Sequence, residues 1–375
     1  MDLGVISYET KEMNKIQATL QALLDQIIAE DSEHGVQVAV YLKGELVADT
    51  FAGISDPATG RRVTGDTLFP VFSTTKGIAA TLAHLLVERG KINYDTRIAE
   101  AWPEFAAHGK GEITLRHALN HTAGVPNMPM GIGHVELCNW ETMCARIANL
   151  KPVSAPGMEF AYHAITYSWT VGEVARRVDG RSFQQMLHDE ICVPLGITNE
   201  MFVGIPDEVE PRVAILEAKI DESANQPLPH DATPQAIPAL VQPLHEWMNR
   251  PDARRACIPA SNGIMTARAI ARHYAALLPG GVDGIELLPP ERIRLATETQ
   301  WPGNSKPGDP PPGHRLGYMV GTPFSSSGFG HGGFGGSIGF ADIESGLAFG
   351  FTRNRYVSDT TLPGIIETLR KSMES

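Results

Sequence analysis

The chain of 375 residues is 42% hydrophobic and 20% charged, a composition that is typical of globular proteins and excludes disorder of the whole chain. Asp and Glu number 43 against 31 Lys and Arg, so the net charge of -12 argues against nucleic acid or an anionic membrane as a partner. No run of about 18 apolar residues occurs, so we expect no membrane-spanning segment.

The amino terminus and the cysteines both indicate an intracellular protein. No basic start followed by an apolar stretch opens the chain, so we expect no secretory signal and a cytoplasmic location. The four cysteines, Cys138, Cys144, Cys192 and Cys257, form neither a CxxC pair nor a dense disulfide framework. We therefore interpret them as reduced, mostly buried thiols without a catalytic role.

The first quarter of the chain changes its hydrophobic period twice. Apolar residues recur every three or four positions over 12–30, which predicts an amphipathic helix. Alternation over 36–54, with a Lys-Gly turn in the middle, predicts a β-hairpin. A second helix is predicted over 74–89, where Gly90 ends it.

Helices fill the middle of the chain, and a proline-rich stretch interrupts them. The predicted helices run from Thr114 toward His121, over 167–178, from a cap at Ser182, and from a cap at Thr266 to Pro279. Prolines recur through 206–259 and break any long periodicity. We interpret this stretch as a partly ordered insertion, either a surface loop or a functional lid.

The carboxyl-terminal part returns to strands after a Pro- and Gly-rich linker at 302–313. Short strands are predicted at Leu316–Val320, Ser337–Ala341 and Leu347–Thr352, followed by a last helix over 362–373. Pairing of these strands with the opening hairpin would make one mixed α/β domain.

The strongest local motif is Ser73-Thr74-Thr75-Lys76, which follows an apolar stretch and opens the second predicted helix. Residues three apart on a helix share a face, so the Ser73 hydroxyl and the Lys76 amine can meet. A serine needs a base to become a nucleophile, and a lysine can serve when burial or a neighbouring cation depresses its pKa. Taken alone the motif is weak, because a capping serine and a solvated lysine also fit it.

Two further motifs carry possible chemistry. Tyr162 lies between a turn-like stretch and a predicted helix; beside a lysine cation it would ionise more easily and shuttle protons, and the alternative is a structural tyrosine. The glycine-rich stretch His331–Ser337 lets a substrate approach the backbone and could offer an N–H to an oxyanion, and the alternative is a flexible turn.

Two other chemistries are disfavoured. Gly335–Gly339 matches the G-x-S-x-G nucleophile elbow around Ser337, but a strand pattern follows it and no histidine occurs after His331. His117 and His121 are four apart on a predicted helix, but no HExxH motif and no nearby Cys or carboxylate pair completes a metal site. We expect no metal and no other cofactor.

Together, the motifs resemble the serine β-lactamase and penicillin-binding-protein superfamily, which carries Ser-x-x-Lys, Tyr-x-Asn and Lys-Thr-Gly in this order. The flanking sequence is closer to one branch, the family VIII carboxylesterases. Leu115–Gly124 is similar to their LLxHTSG segment, and Tyr162–Trp169 is similar to their YHALTxGW segment. Ser261–Ala267 and Gly330–Asp342 are similar too, so the resemblance covers about residues 35–355.

The resemblance implies an α/β (α+β) fold in which an antiparallel sheet flanked by helices lies beside a mainly helical domain. Residues 1–70 and 257–375 would form the sheet domain, and residues 71–256 the helical domain, with the Pro-rich insertion at 206–256. The active site would lie between the two domains.

The resemblance also implies a role for each motif residue. Ser73 would carry the acyl group, and Lys76 and Tyr162 would be the general base and acid. The N–H groups of Ser73 and Phe334 would form the oxyanion hole. The predicted substrate-binding residues are His331, Gly332 and Gly333.

Two positions depart from the β-lactamase pattern. Ala164 replaces the Asn of Tyr-x-Asn, a carboxamide that could contact a substrate amide, and His331 replaces the Lys of Lys-Thr-Gly, a permanent cation. Both losses weaken recognition of a β-lactam and leave the acylation residues in place. Because an unperturbed imidazole titrates near about 6.5, we expect His331 to become cationic as the pH falls toward 6.

We therefore expect a serine carboxylesterase that hydrolyses small carboxylic esters through a Ser73 acyl-enzyme. Its expected partner is a small-molecule ester, and the sequence leaves the acyl chain, the alcohol and the oligomeric state open. The alternatives are an acyltransferase that passes the acyl group to an alcohol, a weak β-lactamase and, less favoured, a non-catalytic binding protein on this fold.

Overall fold

Strands from both ends of the chain build the largest sheet of the molecule. The structure, a computed structural model, describes residues 3–218, 235–298, 313–321, 323–356 and 361–374. Its strands are β1 (Gly35–Leu42), β2 (Glu45–Asp56), β3 (Arg61–Arg62), β4 (Phe69–Phe72), β5 (Met201–Val203), β6 (Glu217–Ala218), β7 (Gly263–Met265), β8 (His314–Arg315), β9 (Tyr318–Val320), β10 (Gly328–Gly332), β11 (Ile338–Asp342), β12 (Leu347–Arg353) and β13 (Arg355–Tyr356).

The described helices are mostly short. They are α1 (Leu3–Ala29), α2 (Thr75–Glu88), α3 (Ile98–Ala101), α4 (Leu115–Leu119), α5 (His134–Leu137), α6 (Trp140–Ala148), α7 (Tyr167–Asp179), α8 (Phe183–Leu187), α9 (Val193–Leu195), α10 (Leu244–Met248), α11 (Pro251–Arg255), α12 (Ala267–Ala275), α13 (Pro290–Thr297) and α14 (Thr361–Glu374). The 3-10 turns are Pro103–Glu112, Asp207–Arg212, Ala239–Val241 and Phe334–Gly336, and a π turn, His188–Cys192, joins α8 to α9.

The large sheet has the strand order β3-β2-β1-β12-β11-β10-β9-β8, and every neighbouring pair is antiparallel. At its centre β1 pairs with β12, from Val36 opposite Arg353 to Leu42 opposite Leu347. The predicted pairing between the opening hairpin and the closing strands is therefore confirmed. Because this pairing joins the two ends of the chain, it closes the α/β part of the molecule.

Both faces of the sheet are covered by helices, as the alternation of β1 requires. Val36, Val38 and Val40 point to one face, where they pack with apolar residues of α1 and α14. Ala39 and Tyr41 point to the other face and belong to the larger core that contains α2 and α12. The predicted fold, an antiparallel sheet flanked by helices, is confirmed. Within the described residues, no helix combines the length and the apolar character needed to span a bilayer.

A second sheet has the strand order β4-β7-β5, and its strand β4 directly precedes helix α2. It pairs Phe69 with Met265 and Met201 with the same Met265. The chain then enters α2, whose residues from Thr75 to Val87 are all buried. A helix that is buried on every side can hold a polar group away from water only when that group finds hydrogen-bond partners, and Lys76 lies on this helix.

The structure differs from the predicted elements in three places. Helix α1 begins at Leu3, well before the predicted start, and the helix after Thr266 ends at Ala275 rather than at Pro279. The first two residues of the glycine-rich stretch belong to a strand, β10, that the composition did not predict. Within the Pro-rich insertion the structure has α10, α11 and two 3-10 turns, while 219–234 lies outside the described residues, as does most of the 302–313 linker.

Candidate active site

Ser73 lies in a sharp turn between β4 and α2. The residue before it, Phe72, has φ of +46°, in the left-handed region that bulky residues rarely adopt. The turn is closed by a hydrogen bond from the Lys76 N–H to the Ser73 carbonyl (2.9 Å). Ser73 is half-buried and lies at the amino terminus of α2, where the helix dipole favours negative charge.

Lys76 is completely buried, and its amine has three neighbours. Nζ lies 3.2 Å from Ser73 Oγ and 2.8 Å from each of the Ala164 and Ala260 carbonyl oxygens. In the described part of the chain it forms no ion pair with a carboxylate. Burial lowers the pKa of Lys76 well below its usual value of 10.5, because the ammonium form loses its hydration and the neighbouring carbonyls replace it only in part.

Tyr162 lies on the other side of the same amine. Lys76 Nζ is 4.8 Å from the centre of the Tyr162 ring, and Tyr162 and Ser73 line the same cavity. Burial raises the pKa of Tyr162 to about 12, and the neighbouring Ser73 hydroxyl offsets only part of this shift. The expectation that a lysine cation eases ionisation of this tyrosine is therefore wrong, and Tyr162 is a protonated phenol at neutral pH.

His121 holds the segment that carries Tyr162. Its carbonyl accepts a hydrogen bond from the Ala161 N–H (3.0 Å), and its Nδ1 accepts one from the His163 N–H (3.1 Å). The imidazole lies 4.6 Å from the Tyr162 ring between these two contacts. Sequence reasoning considered His121 in a family segment and in a disfavoured metal pair with His117, but not as a positioning residue, because that role depends on backbone hydrogen bonds that no motif encodes. His117 accepts the Thr114 N–H (3.1 Å), which caps α4.

The glycine-rich stretch lies against the turn that carries Ser73. The Ser337 carbonyl accepts hydrogen bonds from the Gly333 N–H (2.7 Å) and from the Thr74 hydroxyl (3.0 Å). A β-carbon on Gly333 would lie 2.0 Å from the Val71 carbonyl oxygen, so only glycine allows this close approach. Ser337 itself is buried and holds the turn through its backbone.

Phe334, the residue after Gly333, also lies near the turn that carries Ser73. Its side chain is 54% exposed, and its ring packs edge-to-face on Phe72 with the centroids 5.7 Å apart. The turn at Phe334 therefore lies against Phe72, the last residue of β4 and the residue before Ser73. The structure brings together the segments whose N–H groups were predicted to form an oxyanion hole.

His331 is buried behind the site rather than exposed in it. Its Nδ1 donates to the Gly332 carbonyl (2.7 Å), and within the described residues its Nε2 has no partner. Burial, and secondly the Lys76 amine, lower the pKa of His331 to about 3. The expectation that His331 becomes cationic as the pH falls toward 6 is therefore wrong.

A cavity of about 260 Å³ opens beside Ser73 and Tyr162. Its lining residues are Phe72, Ser73, Tyr162, Ala164, Ile165, Ile237, Val241, Leu244, Trp247, Ser261, Gly332 and Phe334. His331 and Gly333 do not line it. The wall from 237 to 247 comes from the Pro-rich insertion, whose contribution sequence reasoning missed because these apolar residues have no motif.

The cysteines lie outside this cavity. All four are free, and burial raises the pKa of Cys138 to about 11 and that of Cys192 to about 12. Neither of these two thiols is poised as a thiolate at neutral pH. Cys144 and Cys192 are buried and Cys138 and Cys257 are half-buried, so the expected burial is found for two of the four cysteines.

Comparison with known proteins assigns the chain to a family. Residues 20–365 match the Beta-lactamase family model. The chain is 35% identical over 345 residues to the Esterase/beta-lactamase LipL of Mycobacterium tuberculosis, covering 86% of this chain and 78% of that protein. The crystal structure of a family VIII carboxylesterase superposes with a TM-score of 0.82 at 29% identity, covering 95% of this chain and 97% of that one.

A narrower match concerns acyl transfer. The acyltransferase mokF of Monascus pilosus is 28% identical over an alignment of 182 residues that covers 42% of each chain. The fold, the chain order of the motifs and these similarities agree. The chain belongs to the beta-lactamase family and is a serine hydrolase of the esterase/beta-lactamase kind.

Proposed function

We propose that the protein is a carboxylesterase that hydrolyses small carboxylic esters through an acyl-enzyme on Ser73. The observation that carries this proposal is the set of contacts around Lys76 Nζ. A neutral amine has two hydrogens and one lone pair, and the Ala164 and Ala260 carbonyls at 2.8 Å accept the two hydrogens. The lone pair then faces Ser73 Oγ at 3.2 Å, so the serine hydroxyl donates to the amine.

Acylation follows from this arrangement. As Ser73 Oγ attacks the ester carbonyl carbon, its proton passes to Lys76, and the N–H groups of Ser73 and Phe334 stabilise the oxyanion. Tyr162 donates its phenolic proton to the departing alkoxide, because its raised pKa keeps it protonated, and Lys76 restores that proton. Water then attacks the acyl-enzyme by the reverse proton path and releases the carboxylic acid.

The departures from the β-lactamase pattern support an ester over a β-lactam. Ala164 contributes a backbone carbonyl and a methyl group beside the cavity, and His331 is a buried neutral imidazole. Neither can hold the carboxylate of a penicillin. The glycines at 332 and 333 are proposed to flank the substrate as a strand edge, and Gly332 lines the cavity.

We also propose the two-domain division that the resemblance implies, with 1–70 and 257–375 as one domain and 71–256 as the other. It is supported by the large sheet, whose strands come from 35–62 and 314–353. Ser73 and Tyr162 belong to the second domain and Phe334 to the first, and all three line one cavity.

A second candidate function is acyl transfer to an alcohol. It shares the Ser73 acyl-enzyme and differs only in the acceptor, and the similarity to mokF favours it. The two activities separate when an added alcohol competes with water. An esterase forms the same amount of carboxylic acid with and without the alcohol, whereas a transferase diverts the acyl group into a new ester.

The test of the proposal is a comparison of two serines. Ser73→Ala should lower kcat/KM for p-nitrophenyl acetate by several orders of magnitude. Ser337→Ala is the matched control and should keep most of the activity, since the Ser337 contacts in the site are made by its backbone. A phosphonate should label the peptide that contains Ser73 in mass spectrometry. A label on Ser337, or full activity of Ser73→Ala, would overturn the proposal.

A further inference from the structure

The cavity beside Ser73 is apolar and contains no charged side chain. Of its twelve lining residues, only Ser73, Tyr162 and Ser261 carry a hydroxyl and only Trp247 an indole N–H, and none is Asp, Glu, Lys, Arg or His. Apolar surface that is buried against such a lining stabilises a complex in proportion to its area. A carboxylate entering the same space would lose its hydration without a cation to replace it.

The basic groups nearest to the cavity do not make it more favourable for a carboxylate. The Lys76 amine donates to two backbone carbonyls, and its lowered pKa disfavours the charged form. His331 donates its Nδ1 hydrogen to Gly332 and stays neutral down to a pH of about 3. Neither Lys76 nor His331 therefore provides a positive charge that could balance a negatively charged substrate in the cavity.

One side of the cavity is a continuous apolar surface from the Pro-rich insertion. We call it the insertion wall and define it as Ile237, Val241, Leu244 and Trp247. Val241 and Trp247 are buried, while Ile237 and Leu244 are half-buried. Leu244 and Trp247 belong to α10, three residues apart, so they present one face to the cavity.

The insertion wall is anchored at both of its ends. Before it, the Gln235 carbonyl accepts a hydrogen bond from the Met128 N–H (2.8 Å). After it, the Asn249 side chain accepts from the Leu216 N–H (2.9 Å) and donates to the Leu216 carbonyl (2.8 Å). Arg254 Nε also donates to the Met248 carbonyl (2.9 Å). A surface held in this way is organised before the substrate arrives, so binding does not have to order it.

We propose that the insertion wall selects the substrate: the enzyme acts on neutral esters whose apolar group packs against Ile237, Val241, Leu244 and Trp247, and Trp247 limits the size of that group. This proposal rests on the proposed esterase function. The volume of about 260 Å³ lies below the roughly 300–1,000 Å³ of cavities that hold drug-sized ligands, so the apolar group is small.

The size limit is tested with two ester series. One series varies the acyl group of p-nitrophenyl esters from acetate through butyrate, hexanoate and octanoate to decanoate, and the other varies the alcohol of acetate esters. Trp247→Ala should raise the ratio of kcat/KM for long over short esters by about tenfold or more in one series, which identifies the group that packs on the wall. Leu244→Ala repeats the test at a half-buried position if Trp247→Ala does not fold. Val135→Ala is the control, because Val135 is 83% exposed on α5 and is not a cavity residue.

The charge preference is tested with a matched pair of esters. The p-nitrophenyl ester of hexanoic acid and the p-nitrophenyl monoester of adipic acid have equal chain lengths, and they differ in a terminal carboxylate. The neutral ester should be preferred by about tenfold or more in kcat/KM, and Leu244→Arg should reduce that preference by supplying a cation. Val135→Arg places the same charge on the surface and should leave the preference unchanged.

The outcomes separate this proposal from the esterase function. If Ser73-dependent hydrolysis is present but neither ester series responds to Trp247→Ala or Leu244→Ala, the insertion wall does not select the substrate. If the adipic monoester is hydrolysed as well as the hexanoate by the unmodified enzyme, the neutral-substrate proposal is wrong. Absence of ester hydrolysis, or hydrolysis that survives Ser73→Ala, would instead contradict the esterase function itself.

Discussion

Lys76 must be neutral to accept the Ser73 proton, and its surroundings favour that form. Its amine is buried against Ala164 and Ala260, whose carbonyls accept hydrogens from either protonation state but cannot neutralise a charge. The direction of the pKa shift therefore follows from desolvation, which disfavours the ammonium form. Tyr162 is shifted in the opposite sense, since burial disfavours its phenolate. Burial therefore has two effects in this site: it keeps Lys76 neutral, so that it can act as a base, and it keeps Tyr162 protonated, so that it can act as an acid.

The pH dependence of kcat/KM tests this assignment. The neutral fraction of Lys76 grows as the pH rises through its lowered pKa, so activity should rise with pH and reach a plateau well below 10.5. Tyr162 stays protonated until about 12, so it should cause no loss over the accessible range. The measurement uses a neutral ester between about pH 5 and pH 10. A rate that still rises tenfold per pH unit near pH 10 would indicate a lysine with its ordinary pKa.

His121 is predicted to be a positioning residue that acts through Tyr162. Its positive φ of +59° suits Gly or Asn, which allows two variants without added backbone strain. His121→Gly removes the Nδ1 acceptor of the His163 N–H and the ring beside Tyr162, and should lower kcat by about tenfold or more with a smaller change in KM. His121→Asn keeps an acceptor and should retain more of kcat. Equal losses in both variants, or a loss confined to KM, would contradict the positioning role.

At the scale of single elements, local chemistry sets where several helices begin. The Thr114, Ser182 and Thr266 hydroxyls accept the N–H groups of His117, Gln185 and Ala269, as expected of N-cap residues. These caps are readable from the sequence because each involves residues only three positions apart.

Ser182 provides the cleanest test of a cap, because it is exposed and far from the cavity residues in sequence. Ser182→Ala removes the acceptor of the Gln185 N–H (3.1 Å) and should lower the free energy of unfolding by about 1 kcal/mol. Ser182→Asp keeps an acceptor and should lose much less. Urea denaturation measures both, and esterase activity should be unchanged in each. A stability loss of the same size in both variants would show that the cap contributes nothing.

Elements that depend on distant partners were harder to predict than the capped helices. Strand β10 has the sequence GFGHG, whose glycines disfavour an extended strand, and it forms because β9 and β11 pair with it on both sides. The insertion wall is similar, since α10 is short and proline-flanked and owes its place to the Asn249 and Arg254 contacts. The residues that place β10 and the insertion wall lie outside these two segments. The local sequence pattern therefore could not predict either of them.

At the scale of the whole molecule, the candidate site is assembled from segments that are far apart in sequence. Chain order and motif content were enough to predict Ser73, Lys76 and Tyr162 as a group, and the structure brings them together. The carbonyls of Ala164 and Ala260 belong to the backbone and have no side-chain signature, so their contacts with Lys76 could be found only from the structure. The charge state of His331 could also be inferred only from the structure, because burial rather than residue type determines it.

A buried ion pair connects the two ends of the chain to this site. Glu33 precedes β1, Arg353 ends β12, and their side chains meet at 2.6 Å with 0% and 2% of the side-chain surface exposed. Arg353 Nε also donates to the Gly335 carbonyl, in the turn that carries Phe334. A β-carbon on Gly336 would lie 2.3 Å from the same guanidinium, so the turn packs directly on Arg353. The pair therefore supports the predicted oxyanion-hole segment from behind.

Separate variants of this pair should divide its effect on stability from its effect on catalysis. Glu33→Leu removes the Glu33 carboxylate from beside the buried Arg353 guanidinium and should lower the free energy of unfolding by up to about 3–5 kcal/mol in urea denaturation. The double variant Glu33→Leu/Arg353→Met removes both charges and should recover much of that loss. Its kcat for p-nitrophenyl acetate should nevertheless stay low, because the Gly335 carbonyl has lost the Arg353 donor and the turn that presents the Phe334 N–H is no longer held. A double variant that regains stability and kcat together would show that the ion pair supports the fold and does not position the turn.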